Sequence, residues 1–205
     1  MWMKQYNANT LTKQQNYKLL SGSVIPRPVA FVTTQDKDGN LNAAPFSFFN
    51  VVCSAPPMIM ISTARSQGKR KDTSLNIEET GSFVVHITDE MTVEQKNKTA
   101  APIDRTLNEL ERTQLTCVKS EVVPVPGVEQ AKIRMECKLN QIVTLGDAQE
   151  GSDLIIGEVV MYHIDEAVYF DDNKIDAQAL APVARLAGND YAALGQSFTI
   201  NRPTE

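Results

Sequence analysis

Seven consecutive residues, Arg65-Ser66-Gln67-Gly68-Lys69-Arg70-Lys71, carry four cations and no anion. The chain around them is acidic, with 20 Lys and Arg against 25 Asp and Glu and a net charge of −5. A concentrated positive loop on an acidic protein suits a small anionic ligand better than a long polyanion. Asp72-Thr73-Ser74 follows at once and reads as the start of a helix. Helix N-termini offer unpaired N–H groups and the positive end of the dipole, so the hydroxyls of Thr73 and Ser74 beside Lys71 could hold a phosphate. The same residues also read as a solvated charged loop. The loop is not a Walker A motif, since GxxxxGK[ST] is absent, and GxGxxG occurs nowhere.

A second stretch, Ala44-Pro45-Phe46-Ser47-Phe48-Phe49-Asn50, sets a serine and an asparagine among three phenylalanines. Planar ligands want that mixture of apolar surface and a few hydrogen-bonding groups. The alternative is that the phenylalanines are core and Asn50 a turn residue. Nucleophilic and metal chemistry find little support. There is no GxSxG; Cys53, Cys117 and Cys137 form no CxxC; and His86 and His163 belong to no HExxH. His86 sits in an apolar run, on the strand face opposite Phe83, Val85 and Ile87, which reads as a satisfied structural histidine, and His163 reads likewise. No metal ligands and no catalytic side chain are expected.

Stepping outward, 205 residues with 42% hydrophobic, 22% charged and 6% aromatic content fit one domain with a real core. No apolar run approaches the ~18–20 residues of a membrane span, and the opening MWMKQYNANTLTKQQ lacks the apolar stretch of a signal peptide. A soluble, intracellular protein in a reduced compartment is expected, binding neither membrane nor nucleic acid.

The elements that must carry these residues read mainly as strands. A helix is expected near 12–20, then a strand over 29–35, a turn over 36–40 and a second strand over 41–52. Asp38-Gly39 between apolar runs is a hairpin signal, because glycine accepts positive φ. A calcium loop from Asp36 fails, since its twelfth position is Ser47 rather than Glu. Ala55-Pro56-Pro57 breaks the chain before a strand over 58–63. The spacing predicts a helix over 72–80, with Asp72 or Thr73 as N-cap and Gly81 just past its end. A strand over 83–87 follows, then helix-like stretches over 89–101 and 103–112 separated by Pro102, and a turn-rich bridge at 124–127. From Ile133 to Leu139 apolar and charged residues alternate, which places Cys137 in the core. A last long strand over 154–164 precedes a tail expected to be irregular from 177. Hairpin-type turns favour an antiparallel barrel or sandwich over a parallel sheet.

Taken in order, Ile25-Pro26-Arg27-Pro28-Val29-Ala30, the Asp38-Gly39 hairpin, the 44–50 stretch, Pro56-Pro57, Lys71-Asp72-Thr73-x-x-Asn76-Ile77, Phe83-Val84-Val85 and Arg185-Leu186-Ala187-Gly188-Asn189-Asp190-Tyr191 resemble one family. It is the flavin reductase-like family of FMN-binding split-barrel proteins, whose relatives include flavoredoxins and the reductase components of flavin monooxygenases. The resemblance implies a six-stranded Greek-key split barrel with helical decorations, filling residues 1–205 as a single domain with its core at about 20–195. It implies a homodimer that binds FMN at or near the subunit interface, and the intracellular reading above makes that homodimer cytoplasmic. Ser47, Phe48 and Asn50 would lie along the isoalloxazine and ribityl chain, with Ser62 and Thr63 near the ribityl and phosphate. Arg65, Lys71 and Thr73 would hold the phosphate. Arg27 and the segment 185–191, with Arg185, would lie near the flavin or the nicotinamide entry. The tail departs from the pattern in reading Leu186-Ala187-Gly188 where two glycines are expected, and Lys69-Arg70 makes the loop unusually basic. The implied activity is hydride transfer from NAD(P)H to flavin, with electrons passed to an acceptor or to a monooxygenase or electron-transfer partner. The alternatives are a non-catalytic FMN store or redox sensor, or an electron carrier of flavoredoxin type.

Overall fold

A computed structural model describes residues 2–101 and 103–203. Strands β1 (Ala30–Gln35) and β2 (Leu41–Phe46) form the expected hairpin. Its turn is local: Asp36 Oδ1 accepts the N–H groups of Asp38 (3.0 Å) and Asn40 (2.9 Å), and Gly39 takes φ +87°. The other strands of the main sheet are β3 (Phe49–Ser54), β4 (Pro57–Ala64), β5 (Ser82–Ile87), β6 (Ile133–Leu145) and β7 (Ser152–Ile164). They pair antiparallel in the order β2-β1-β5-β6-β7-β4-β3. The main sheet thus has seven strands where six are expected, because residues 41–52 are two strands rather than one.

That break shapes the whole sheet. β2 and β3 are its opposite edges, which in a flat sheet would stand about 29 Å apart at ~4.8 Å per strand. Phe46 and Phe49, three residues apart, reach only about 10 Å. The sheet must therefore curl until its edges meet at Ser47-Phe48. The corner is tied to β4 by the Ser62 N–H, which donates to the Phe48 carbonyl at 2.8 Å. No ladder joins β2 to β3 among the described residues, so the barrel stays open along one seam.

Inside the barrel pack Val32, Phe49, Ile61, Phe83, Met135 and Cys137, with Ile77 of helix α2 (Asp72–Thr80). Cys137 is a core residue as expected, and burial pushes its thiol pKa up. Val84 and Phe31 point outward and are covered by residues from the 110–128 stretch. Two polar groups pin that cover. His86 is fully buried, its Nδ1 2.8 Å from the Phe31 carbonyl and its Nε2 accepting the Val128 N–H at 2.9 Å. Burial and the nearby Lys96 depress its pKa to about 3, so it is a neutral structural group. Glu136 is equally buried and accepts the backbone N–H groups of Glu121 (2.7 Å), Val122 (2.7 Å) and Val123 (2.9 Å), with His163 Nε2 at 2.6 Å. Burial opposes its charge, but these bonds outweigh burial and hold the carboxyl below its ordinary pKa.

Helix α1 (Lys13–Ser23) starts at a capping box between Thr12 and Gln15 and runs beyond the expected 12–20. Helix α2 has the expected span, and Gly81 ends it at φ +71°. Its N-cap is Lys71, not Asp72 or Thr73: the Lys71 carbonyl already accepts from Ser74 (2.9 Å) and Leu75 (3.1 Å). Two expected helices shrink, to α3 (Val93–Lys98) and to a 3₁₀ turn at Glu109–Arg112; Pro102 lies outside the described residues. The tail from 177 is more ordered than expected. It forms α4 (Ala177–Leu180) and then a small sheet in which Val183–Arg185 pairs with Arg27–Pro28 and Tyr191–Ala193.

Gly157 of β7 leaves room for a core ring, since a Cβ there would come within 2.3 Å of Phe83 Cζ. Gly157→Ala should lower unfolding free energy by about 1–3 kcal/mol, read as a fall in the urea midpoint at unchanged slope. Wild-type stability would contradict the packing described.

Candidate functional site

The corner at 47–48 is lined on one side by a groove of about 390 Å3. Leu20 of α1 and Val24, just past its end, line it together with Ser47, Phe48 and Asn50. Met60 and Ser62 reach it because β4 alternates: Ile59, Ile61 and Thr63 face inward, so their neighbours face out. Arg27 completes the lining. It is only 6% exposed, and its guanidinium donates to the carbonyls of Ser21 (2.5 Å), Val24 (2.6 Å) and Leu186 (2.8 Å). Its Cζ stands 5.9 Å from the Phe48 ring centroid. Its Nε is buried without a partner, and no carboxylate pairs with it among the described residues. A buried cation held by neutral carbonyls keeps its positive field directed at whatever enters the groove.

A smaller depression of about 200 Å3 lies against the preceding residues of the same strip, Ala44, Pro45 and Phe46. Lys71 and Thr73 line it at the start of α2. Thr73 Oγ1 accepts from Asn42 Nδ2 at 2.9 Å, which leaves its hydroxyl hydrogen to donate elsewhere. Two carboxylates share this depression. Asp72 sits 3.8 Å from Arg105, and Glu109 Oε2 accepts the Ala43 N–H at 2.9 Å. Burial pushes the Glu109 carboxyl above its ordinary pKa; the Ala43 bond opposes this and Asp72 adds to it.

The basic loop is less free than its composition implies. Arg65 donates to Asp153 and, at 3.2 Å, to Thr144 Oγ1; Arg70 donates to Asp153 Oδ2 at 2.8 Å and Glu78 at 2.5 Å. Asp153 is fully buried, which disfavours its charge, yet the two guanidinium groups hold it below its ordinary pKa. Lys69 and Lys71 remain exposed. Thr63 is also committed, its hydroxyl 2.5 Å from that of Ser74, joining β4 to α2 in the interior. Arg185 pairs by backbone with Arg27, stacks 4.5 Å over the Tyr191 ring and donates to the Gly188 carbonyl. Arg27, Ser47, Phe48, Asn50 and Ser62 therefore converge on the groove, and Lys71 and Thr73 on the depression. Thr63, Arg65 and Arg185 stand outside both. Sequence reasoning missed Asp153 and Glu109. A carboxylate one residue before the expected strand 154–164 was the available signal for the first.

Asp153 has a folded pKa below its unfolded value, so its contribution is complete above the unfolded value near pH ~4 and is lost as pH falls through the folded one. Asp153→Asn should cost about 3 kcal/mol at pH 7 and flatten the loss of stability in acid, measured by urea unfolding at several pH values. An unchanged acid slope would show that the ion cluster does not govern it.

The flavin reductase like domain matches residues 21–177. The YwrF protein of Bacillus subtilis (strain 168) is 49% identical over 202 residues, 97% of this chain and 98% of its own length. Among solved structures, nitrilotriacetate monooxygenase component B from Bacillus cereus superposes with TM-score 0.95 at 48% identity, covering 98% of this chain and 100% of that one. The Pseudomonas fluorescens 2-nitrobenzoate 2-nitroreductase NbaA follows the same fold with TM-score 0.87 at 30% identity, covering 98% and 97%. The chain belongs to the flavin reductase-like family and has its split-barrel fold.

Proposed function

We propose that this chain is an FMN-dependent reductase that takes hydride from NAD(P)H and passes the electrons to an acceptor or a partner protein. The observation that carries the reading is Arg27, a buried cation without an anion among the described residues, at the edge of an apolar groove. The donor set fits FMN: apolar walls for a flat ring, Ser47, Asn50 and Ser62 for its polar edge and ribityl chain, and Lys71 with Thr73 for a phosphate. FMN, when bound, supplies hydride acceptance at N5 and onward electron transfer. Arg27 favours the negative charge that reduction brings, and Phe48, Leu20 and Val24 exclude water from the groove. Arg65 acts one step back, fixing the loop through Asp153, while Thr63 holds α2 in place through Ser74. Arg185 and Tyr191 flank the nicotinamide entry in this reading.

The same reading makes the chain one domain over residues 1–205, with its core at 20–195, working in the cytoplasm. It makes the active form a homodimer, since Leu20, Val24, Phe48 and Val51 leave apolar surface exposed around the groove. A monooxygenase partner is supported by the relative that is a monooxygenase component.

Two predictions test the phosphate assignment. Lys71→Ala combined with Thr73→Ala should weaken FMN at least tenfold more than riboflavin, because only FMN carries the phosphate and each charge-assisted bond contributes about 1.5–3 kcal/mol. Equal losses for both ligands in a flavin-fluorescence titration would refute it. Glu109→Gln removes a carboxylate from the same depression and should tighten FMN but leave riboflavin unchanged. Weaker FMN binding would place the phosphate elsewhere.

A further inference from the structure

The barrel's mouth holds a cavity of about 630 Å3 beside the groove, and of the residues proposed to hold flavin only Asn50 lines it. Ile59 and Met135 of the core and the half-buried Ile87 line it, as do Tyr169, Asn173 and Ile175 of the small hairpin. The volume lies within the range of small-molecule sites, and barrel mouths are common places for them. Among the described residues, no Lys, Arg, Asp, Glu or His lines this cavity. Its polar groups are amides and phenols. Asn50 Oδ1 accepts the Val51 N–H at 2.8 Å, and Asn173 Oδ1 accepts the Tyr169 hydroxyl at 3.1 Å. Asn50 serves the flavin in the reading above, whereas the Asn173 NH2 group is left to donate to another acceptor.

We propose that the barrel mouth binds an uncharged, flat aromatic molecule carrying a carbonyl oxygen, as an aromatic ketone or quinone does. The apolar wall takes the ring, and the amide NH2 group of Asn173 donates to the carbonyl oxygen. A charged ligand is disfavoured because no counter-ion lines the cavity to offset its desolvation. Pro28, Phe49 and Asn50 line both the mouth and the groove, so the occupant lies beside the flavin site. Its role as an electron acceptor rests on the flavin reading; its binding does not.

Equilibrium dialysis of the full chain with 2-acetylnaphthalene and with 2-naphthoate tests this, since the two differ chiefly in charge. Saturable binding of the ketone at one site per chain is expected, with the carboxylate at least tenfold weaker. Ile175→Lys puts an ammonium at an exposed rim position and should strengthen 2-naphthoate at least tenfold without changing FMN affinity. No saturable binding of the ketone, equal binding of the two, or an unaltered ratio in Ile175→Lys would overturn the proposal. Ketone binding that rises as the protein is diluted would also overturn it, by showing that a second copy fills the mouth. An FMN titration run in parallel separates the two readings. Ketone binding without FMN binding refutes only the flavin reading, and FMN binding without ketone binding refutes only this one.

Discussion

Two residues, Ser47 and Phe48, link strands at opposite edges of a seven-stranded sheet. That covalent constraint leaves the sheet no flat alternative, and the curl it imposes creates a seam. The strip from Ala44 to Val51 runs along the seam and lines the polar depression, the apolar groove and the barrel mouth in turn. A segment so placed is paired on one side only, to β1 before the corner and to β4 after it. Its other side is free to face a ligand.

Charge is arranged on two plans around that strip. In the loop after β4, cations and anions cancel: buried Asp153 takes both Arg65 and Arg70, and their worth is positional, holding the entry to α2. At the groove the plan is reversed, and Arg27 is buried against carbonyls with its Nε unpartnered. An unpaired buried cation is costly to keep, and a site that must stabilise negative charge is a physical reason to keep one. Lys71 and Thr73 add a further positive locus at a helix start, moderated by Asp72 and Glu109.

Local signals in the sequence were reliable guides. Asp36 and Gly39 build the first turn from their own neighbours, and Gly81 stops α2 through its own φ. The alternation around Cys137 marked its burial, because one face of β6 meets the core. What failed depended on distant partners. The corner at 47–48 is invisible to alternation, since apolar residues continue on both sides of it. Arg65 and Arg70 read as free cations because the carboxylate that binds them lies 88 and 83 residues away. The tail looked irregular because its strands are three residues long and exist only by pairing with Arg27–Pro28 and with each other. In the same way Ser47, Phe48 and Asn50, near neighbours in sequence, could be grouped from the sequence, whereas the placement of Thr63 and Arg65 outside their groove needed the fold.

The most direct test of the account is an absorbance spectrum of the purified chain with added FMN, followed under anaerobic conditions by NADH and then NADPH. The account predicts a bound-flavin band that bleaches with one of the two nicotinamides. No bound flavin would contradict it outright, and a flavin band that persists through both additions would contradict the reductase activity.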